Sequence, residues 1–197
     1  MRKGTRAIVV LWAALSACDA RQPIAKQVPG ELPLAHLDSI WFGMRTKAFR
    51  IQRPNARVAP YIGYQESIGD YNVLYAFWPA ARAENTQPGS LAELYEVSAA
   101  RDLRSDAAAE SAWHALVASL TRKGNHVNCF ELRDDNGGSA GGIAVEKRGD
   151  NEIAAEYHRA YSIPSIGRDW HVPAGVTVTF GPGRERQGAD PIPCPGV

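Results

Sequence analysis

The segment Tyr71–Trp78 restricts the fold more than any other part of the chain, because every residue from Val73 onwards is apolar. A strand that is apolar on both sides lies in the interior of a sheet with both faces covered. The preceding strand-like run, Tyr61–Ile68, is separated from it only by Gly69-Asp70. Glycine accepts the positive φ that a two-residue hairpin turn needs. The sequence therefore predicts a hairpin whose second strand is central and buried on both faces.

Further strand-like runs follow the hairpin. They are Leu91–Ala99, His126–Leu132, Gly142–Arg148, Glu152–His158 and Val176–Phe180. In the last of these runs, apolar residues alternate with threonines, which is typical of a strand with one buried face. Thr46 is placed to cap a short helix that must end near Arg53, because Pro54 follows.

A long helix is predicted from Ser105 to Lys123. Ser105 can cap its start, and Gly124 can end it. One stripe of apolar residues recurs at spacings of three and four, as expected for a helix that packs on a sheet. The stripe consists of Ala109, Trp113, Leu116, Val117 and Leu120.

These elements predict an α+β fold: a mostly antiparallel sheet with a short N-terminal helix and one long helix packed on one face. The chain has 197 residues, and 22 Lys+Arg are nearly balanced by 21 Asp+Glu. A nucleic-acid-binding protein needs a concentrated basic surface, so this balance argues against a nucleic-acid partner.

The N-terminus has the composition of a secretory signal. Arg2, Lys3 and Arg6 precede an uncharged apolar run, Ala7–Ala17. As a helix that run would reach only about 16 Å, which is too short to span the hydrocarbon core of a bilayer. We expect residues 1–17 to be a signal peptide that is removed.

The run ends in Leu15-Ser16-Ala17-Cys18. This tetrapeptide resembles the lipobox of bacterial lipoproteins, with Leu at minus three, small residues at minus two and minus one, and Cys at plus one. The resemblance implies that signal peptidase II recognises Leu15, Ser16 and Ala17. It also implies that Cys18 carries diacylglycerol on its sulfur and a further acyl group, such as palmitate, on its new amino group. Several acyl chains anchor a protein stably to a membrane without crossing it. The alternative is an ordinary secretory signal cut near Ala17 or Ala20.

The segment after Cys18 contains three prolines between Asp19 and Leu34. This composition predicts a flexible tether at residues 18–36 and a folded periplasmic domain at 37–197. Asp19 follows the lipidated Cys, and in enteric lipoproteins this favours retention on the periplasmic face of the inner membrane. Gly43-Met44-x-Thr46, leading into a short helix and a hairpin, resembles small lipoproteins of outer-membrane assembly.

Cys129 and Cys194 remain once Cys18 is lipidated, and an even pair in an oxidising compartment predicts a disulfide. The bridge would close a loop of about 65 residues and contribute roughly 4 kcal/mol in the chain-entropy model. We expect it to hold the tail Gly181–Val197, which is rich in proline and predicts neither helix nor strand of its own. A catalytic thiol or a metal site is the alternative, but neither Cys lies in a Cys-x-x-Cys motif.

No motif for a cofactor or a metal is present. The glycine run Gly137–Gly142 lacks the spacing of a phosphate loop and reads as a connection between strands. Asp134-Asp135-Asn136-Gly137 is similar to part of a calcium loop, but Leu132 stands where the first acid would be. The histidines do not show metal-ligand spacing. They are His36, His114, His126, His158 and His171.

The sequence contains no clear catalytic constellation. The serines considered, Ser139, Ser162 and Ser165, are not in a Gly-x-Ser-x-Gly elbow. Paired carboxylates such as Glu152 and Glu156 could flank a sugar bond, although acids on adjacent strands are usually a solvated face.

Our leading hypothesis is a lipid-anchored, non-enzymatic envelope module that binds a protein or a glycan, with exposed aromatics as anchors. The tryptophans of the mature chain are Trp41, Trp78, Trp113 and Trp170. One alternative is a small envelope hydrolase acting on peptidoglycan or protein, which would need His126, His158 or His171 to gather with acids in one cleft. Another is an inhibitor or immunity lipoprotein that uses the loop Asp134–Gly142.

Overall fold

The computed structural model describes residues 22–59, 63–78, 92–122, 124–133, 139–163, 170–184 and 190–196. The signal peptide, the lipobox, Asp19 and the loop residues 134–138 lie outside this part of the chain. The helices are α1 (Ile24–Gln27), a 3-10 helix (Pro33–His36), α2 (Thr46–Gln52) and α3 (Asp106–Thr121). The strands are β1 (Arg57–Ala59), β2 (Gly63–Ile68), β3 (Tyr71–Trp78), β4 (Glu93–Asp102), β5 (Val127–Arg133), β6 (Ser139–Arg148), β7 (Asn151–His158), β8 (Tyr161–Ile163), β9 (Trp170–Val172), β10 (Gly175–Pro182) and β11 (Asp190–Ile192).

Nine of these strands form one sheet in the order β1-β2-β3-β4-β10-β7-β6-β5-β11, and every pair of neighbours is antiparallel. The strands β8 and β9 form a separate antiparallel pair. The predicted mostly antiparallel sheet with a few helices is confirmed. The predicted hairpin is also confirmed: β2 and β3 pair across Gly69, whose φ of 58° is the conformation for which glycine was expected.

One face of the sheet carries the main core. The helix α3 contacts β7, β10 and β6, and its buried side chains are those of the predicted apolar stripe together with Ser119. The indole Nε1–H of Trp113 donates to the carbonyl of Ala155 at 2.8 Å, and its ring lies 5.0 Å from that of Tyr157. Ser105 caps the helix by accepting from the Ala108 amide. In α2, by contrast, Thr46 is the first helical residue and not the cap.

The N-terminal segment covers the rest of this face. Phe49 of α2 packs its ring against Tyr64, Tyr75 and Phe77 of the β2–β3 hairpin. Ahead of α2, apolar residues that are at most 7% exposed join the same core; they are Ile24, Val28, Leu32, Leu34, Leu37, Ile40 and Met44. The Ile24 amide also donates to the Ile40 carbonyl at 2.7 Å.

These contacts correct the prediction of a tether that reaches residue 36. From Ile24 onwards the segment is held in the core, because its apolar residues remove surface from water even though its prolines prevent a long helix. The folded part therefore begins near residue 24 instead of 37.

The tail departs from prediction as well. Asp190–Ile192 forms β11 and pairs with β5, whereas the sequence predicted neither helix nor strand there. Cys129 and Cys194 are joined, with 2.08 Å between the sulfurs and 5.2 Å between the Cα atoms. The bridge holds the extended tail beside β5, and Pro191 is tolerated because β11 is an edge strand.

Candidate functional site

The second face of the sheet, opposite α3, has a different character. Its apolar part is small: Ile143, Val145 and Ala154 are buried there and contact Phe130 and Leu132. Correspondingly, β3 is not fully covered on this side. Leu74 is half-buried and Trp78 is 66% exposed, so the prediction that β3 is buried on both faces is wrong at these positions. Its predicted place in the interior of the sheet is confirmed.

Two carboxylates on this second face lie on either side of a glycine. Gly181 on β10 pairs directly with Glu152 on β7, and Glu96 on β4 lies against its other side. A Cβ built at Gly181 would be 2.9 Å from Cγ of Glu96. Glycine therefore lets the Glu96 side chain lie over the strand, where a larger residue would push it away.

Both carboxylates are withdrawn from solvent. The side chain of Glu96 is 12% exposed, and Glu152 is 3% exposed. Arg184, just beyond the end of β10, pairs through its guanidinium with the Glu96 carboxylate. A partly buried carboxylate of this kind is stable only when opposite charge and hydrogen bonds compensate its desolvation, and Arg184 supplies such compensation for Glu96.

An aromatic pair extends this arrangement towards β3. The rings of Trp78 and Tyr95 are 6.3 Å apart and nearly perpendicular. Burial raises the pKa of the Tyr95 hydroxyl, the Glu96 charge raises it further, and Arg184 opposes both. The Tyr95 hydroxyl therefore lies within the electrostatic influence of the ion pair. We refer to Trp78, Tyr95, Glu96, Arg184 and Glu152, with Gly181 beneath them, as the carboxylate strip.

The carboxylate strip continues into a pocket of about 240 Å³. One part of its wall is apolar and is formed by Leu132, Ile143, Ala154 and Pro182. The other part carries the polar groups of Glu152, Glu156, Thr179 and Arg184. A neighbouring hollow of about 320 Å³ shares Glu152 and Arg184 and is bounded by the turn between β6 and β7. This mixed lining is suited to a small ligand group that has both polar atoms and apolar carbons.

The structure brings the sequence-predicted acids Glu152 and Glu156 into the same pocket. They stand four residues apart on one strand, so their Cα atoms are about 13 Å apart. Glu96 and Glu152 are separated by two interstrand gaps, about 9.6 Å between Cα atoms, and form the closer pair across the sheet. Sequence reasoning missed Glu96, Tyr95 and Arg184. Gly181 gave no sign of close approach, because it follows the predicted strand Val176–Phe180 and lies inside a strand only in the structure.

The predicted histidines are dispersed. His126 precedes β5 at one end of the sheet, and His158 ends β7 at the other, so about 20 Å of strand separates them. The imidazole Nε2 of His158 lies 3.0 Å from the Pro173 carbonyl. His171 pairs with Ser162 in the β8–β9 hairpin.

The other candidate residues from the sequence differ in how far they are exposed to solvent. Trp113 and Cys129 are buried, Trp41 is half-buried, and His36 and His114 are exposed. Across the described ranges, His, Cys, Asp and Glu side chains form no group of three or more that could hold a metal ion. The described helices fall short of the length and apolarity that crossing a bilayer requires.

No family model, curated protein or solved structure matches this chain.

Proposed function

We propose that the chain is a bacterial envelope lipoprotein whose folded domain binds another envelope component through the carboxylate strip. The observation that supports this function best is the exposed Trp78, whose ring lies 6.3 Å from that of Tyr95, the residue next to Glu96 and its ion pair with Arg184. Exposed large aromatics next to oriented polar groups are typical of binding surfaces. The domain acts as a binding or assembly module and not as an enzyme.

The anchor in this proposal is Cys18, lipidated after signal peptidase II recognises Leu15, Ser16 and Ala17. Support comes from the basic start, the short apolar run and the four matching lipobox positions. The domain then faces the periplasm, and Asp19 favours the inner membrane. The bridge between Cys129 and Cys194 is compatible with an oxidising compartment.

The architecture proposed with it is α+β, with α3 as the one long helix on one face of the sheet. The contacts of Trp113 with Ala155 and Tyr157 support this arrangement. It leaves the opposite face, with the carboxylate strip, for a partner.

Binding is favoured over hydrolysis by the arrangement of the histidines. A hydrolase at this face would need His126, His158 or His171 beside its acids. The register of the sheet places His126 and His158 at opposite ends, and His171 lies in the separate β8–β9 pair. Glu96 is instead paired with Arg184, and Glu152 lies opposite Gly181.

The anchor is tested by the intact mass of the protein from the membrane fraction, compared with a Cys18→Ser variant. We expect a chain that begins at Cys18 and carries diacylglycerol plus an acyl group, and a variant that lacks both. Cys129 and Cys194 should be alkylated only after reduction. An unlipidated wild-type chain beginning near Asp19 or Arg21 would refute the anchor.

The binding surface is tested separately by photo-crosslinking in intact cells. A crosslinking amino acid replaces Trp78 in one variant and, in the control, Tyr161, another exposed aromatic that is not part of the strip. We expect a discrete higher-mass adduct from position 78 only. Equal adducts at both positions, or none at position 78, would contradict a partner at the carboxylate strip.

A further inference from the structure

We propose that the partner of the carboxylate strip is a glycan chain of N-acetylated hexopyranose sugars. This inference rests on the proposed function, since it names the chemical class that the open sheet face recognises. It is drawn from four properties of the face: an exposed aromatic ring, paired polar groups, a glycine floor and a half-apolar pocket.

Trp78 supplies the stacking surface. Its side chain is 66% exposed at the end of β3, and the perpendicular Tyr95 ring at 6.3 Å restricts its orientation. An indole presents a large flat apolar area at little conformational cost. The C–H face of a pyranose ring is also flat and apolar, while its hydroxyls point outward. A sugar stacked on Trp78 would direct those hydroxyls towards Glu96 on the neighbouring strand.

The ion pair of Glu96 and Arg184 supplies oriented hydrogen-bonding groups. Carboxylate oxygens accept from hydroxyls, and a guanidinium donates through a planar fork. Because Arg184 already compensates the charge of Glu96, this part of the strip favours a neutral ligand. A cationic ligand would have to displace Arg184 from that carboxylate.

The floor and the pocket fit the shape and substituents of such a chain. Gly181 lets the Glu96 side chain lie over β10, next to the strand that carries Glu152. The pocket then offers Ile143 and Leu132 to an acetyl methyl group and Thr179 to the adjacent amide or hydroxyl. From Trp78 on β3 to Ile143 on β6 the surface crosses four interstrand gaps, about 19 Å, and is offset by six residues along the strands, about 20 Å. The two positions are therefore about 28 Å apart, so the proposed ligand is a chain of several sugar rings and not a single sugar.

The test is titration of the full mature chain, in whichever form the membrane or secreted fraction yields, with a β-1,4-linked tetramer of N-acetylglucosamine. Intrinsic tryptophan fluorescence reports on Trp41, Trp78, Trp113 and Trp170 together, and comparison with Trp78→Ala identifies the part of the change that comes from Trp78. We expect a saturable change that is nearly insensitive to salt between about 0.05 and 0.5 M NaCl, because the ligand is neutral. Trp78→Ala should weaken binding at least tenfold, as read by retention of the protein on insoluble chitin.

Two further variants distinguish an effect on the binding site from an effect on folding. Tyr161→Ala removes another exposed aromatic and should bind as wild type does. Gly181→Ala places a methyl group against Glu96 and should weaken binding while leaving Trp78 exposed. Thermal melts of Trp78→Ala and Gly181→Ala, followed by circular dichroism, identify any loss of binding that comes from unfolding.

The outcomes distinguish this inference from the proposed function. Absence of glycan binding together with a crosslinked adduct at position 78 would overturn the glycan and leave the binding surface intact. Equal glycan affinity in wild type and in folded Trp78→Ala would overturn the assignment of the glycan to this strip. Strongly salt-dependent binding of poly-lysine, in place of the sugar, would also overturn it and indicate a cationic partner.

Discussion

Replacing Gly142 by alanine tests whether α3 is seated on the sheet through a glycine that makes room for two aromatic rings. A Cβ at this position would lie 2.8 Å from Cε1 of Tyr157 and 3.1 Å from Cη2 of Trp113. Trp113 cannot easily withdraw, because its indole N–H is bound to the Ala155 carbonyl and only 3% of the residue is exposed. The added methyl group must therefore displace packed rings.

The expected magnitude follows from two opposing effects. Overpacking a core by a methyl group costs about 1–3 kcal/mol. Alanine also restricts the unfolded chain and returns about 0.4–1 kcal/mol, so the midpoints of the two ranges leave a net loss of about 1.3 kcal/mol. In a domain of this size, that loss lowers Tm by about 3–5 °C.

The assay is thermal and urea unfolding followed by circular dichroism, with Gly30→Ala as the matched control. A Cβ at Gly30 meets nothing within 4 Å, so this variant should be neutral or more stable by up to about 1 kcal/mol. Trp113→Phe provides a smaller ring, and the double variant with Gly142→Ala should lose less than the sum of the singles by at least about 0.5 kcal/mol. A Gly142→Ala protein that melts at or above wild type, or strictly additive losses, would refute the reasoning.

Three further variants test other contacts. Replacing Cys129 and Cys194 by serine should cost about 4 kcal/mol in the chain-entropy model, measured by urea unfolding, and should make the tail sensitive to limited proteolysis; an unchanged midpoint would contradict this. Ser105→Ala removes the cap of α3 and should cost about 1 kcal/mol in the same assay, while no loss would mean that the cap contributes nothing. Burial and the hydrogen bond to Glu66 raise the pKa of Tyr75, so its unionised form is favoured in the folded state. The stability that unionised Tyr75 gives the folded state should be fully present below the unfolded pKa of about 10 and should decline above it. Tyr75→Phe should therefore flatten the decline in the free energy of unfolding between about pH 9 and 11.

Local patterns predicted most of the regular structure. The apolar residues of α3 recur with the period of an α-helix, and the turn at Gly69 involves only neighbouring residues. Both could therefore be recognised without knowledge of distant contacts. The N-terminal segment was different. Ile24 and Leu34 are buried by residues far along the chain, and a proline-rich composition by itself does not reveal such partners.

The candidate site shows the same limit. Glu96, Gly181 and Glu152 come from three separate strands, and only the order β4-β10-β7 makes them neighbours. Nothing in the spacing of their positions along the sequence encodes that order. In the tail, β11 depends on a ladder partner more than fifty residues away, which explains why it escaped prediction.

The two edge strands of the nine-stranded sheet affect how easily a second copy of the protein could pair with it. Its outermost strands, β1 and β11, are each three residues long. Pro191 removes a backbone donor from one of them, and Arg57 places a charge on the other. A second copy that approached β1 or β11 would find few hydrogen-bonding groups with which to extend the nine-stranded sheet at these two strands.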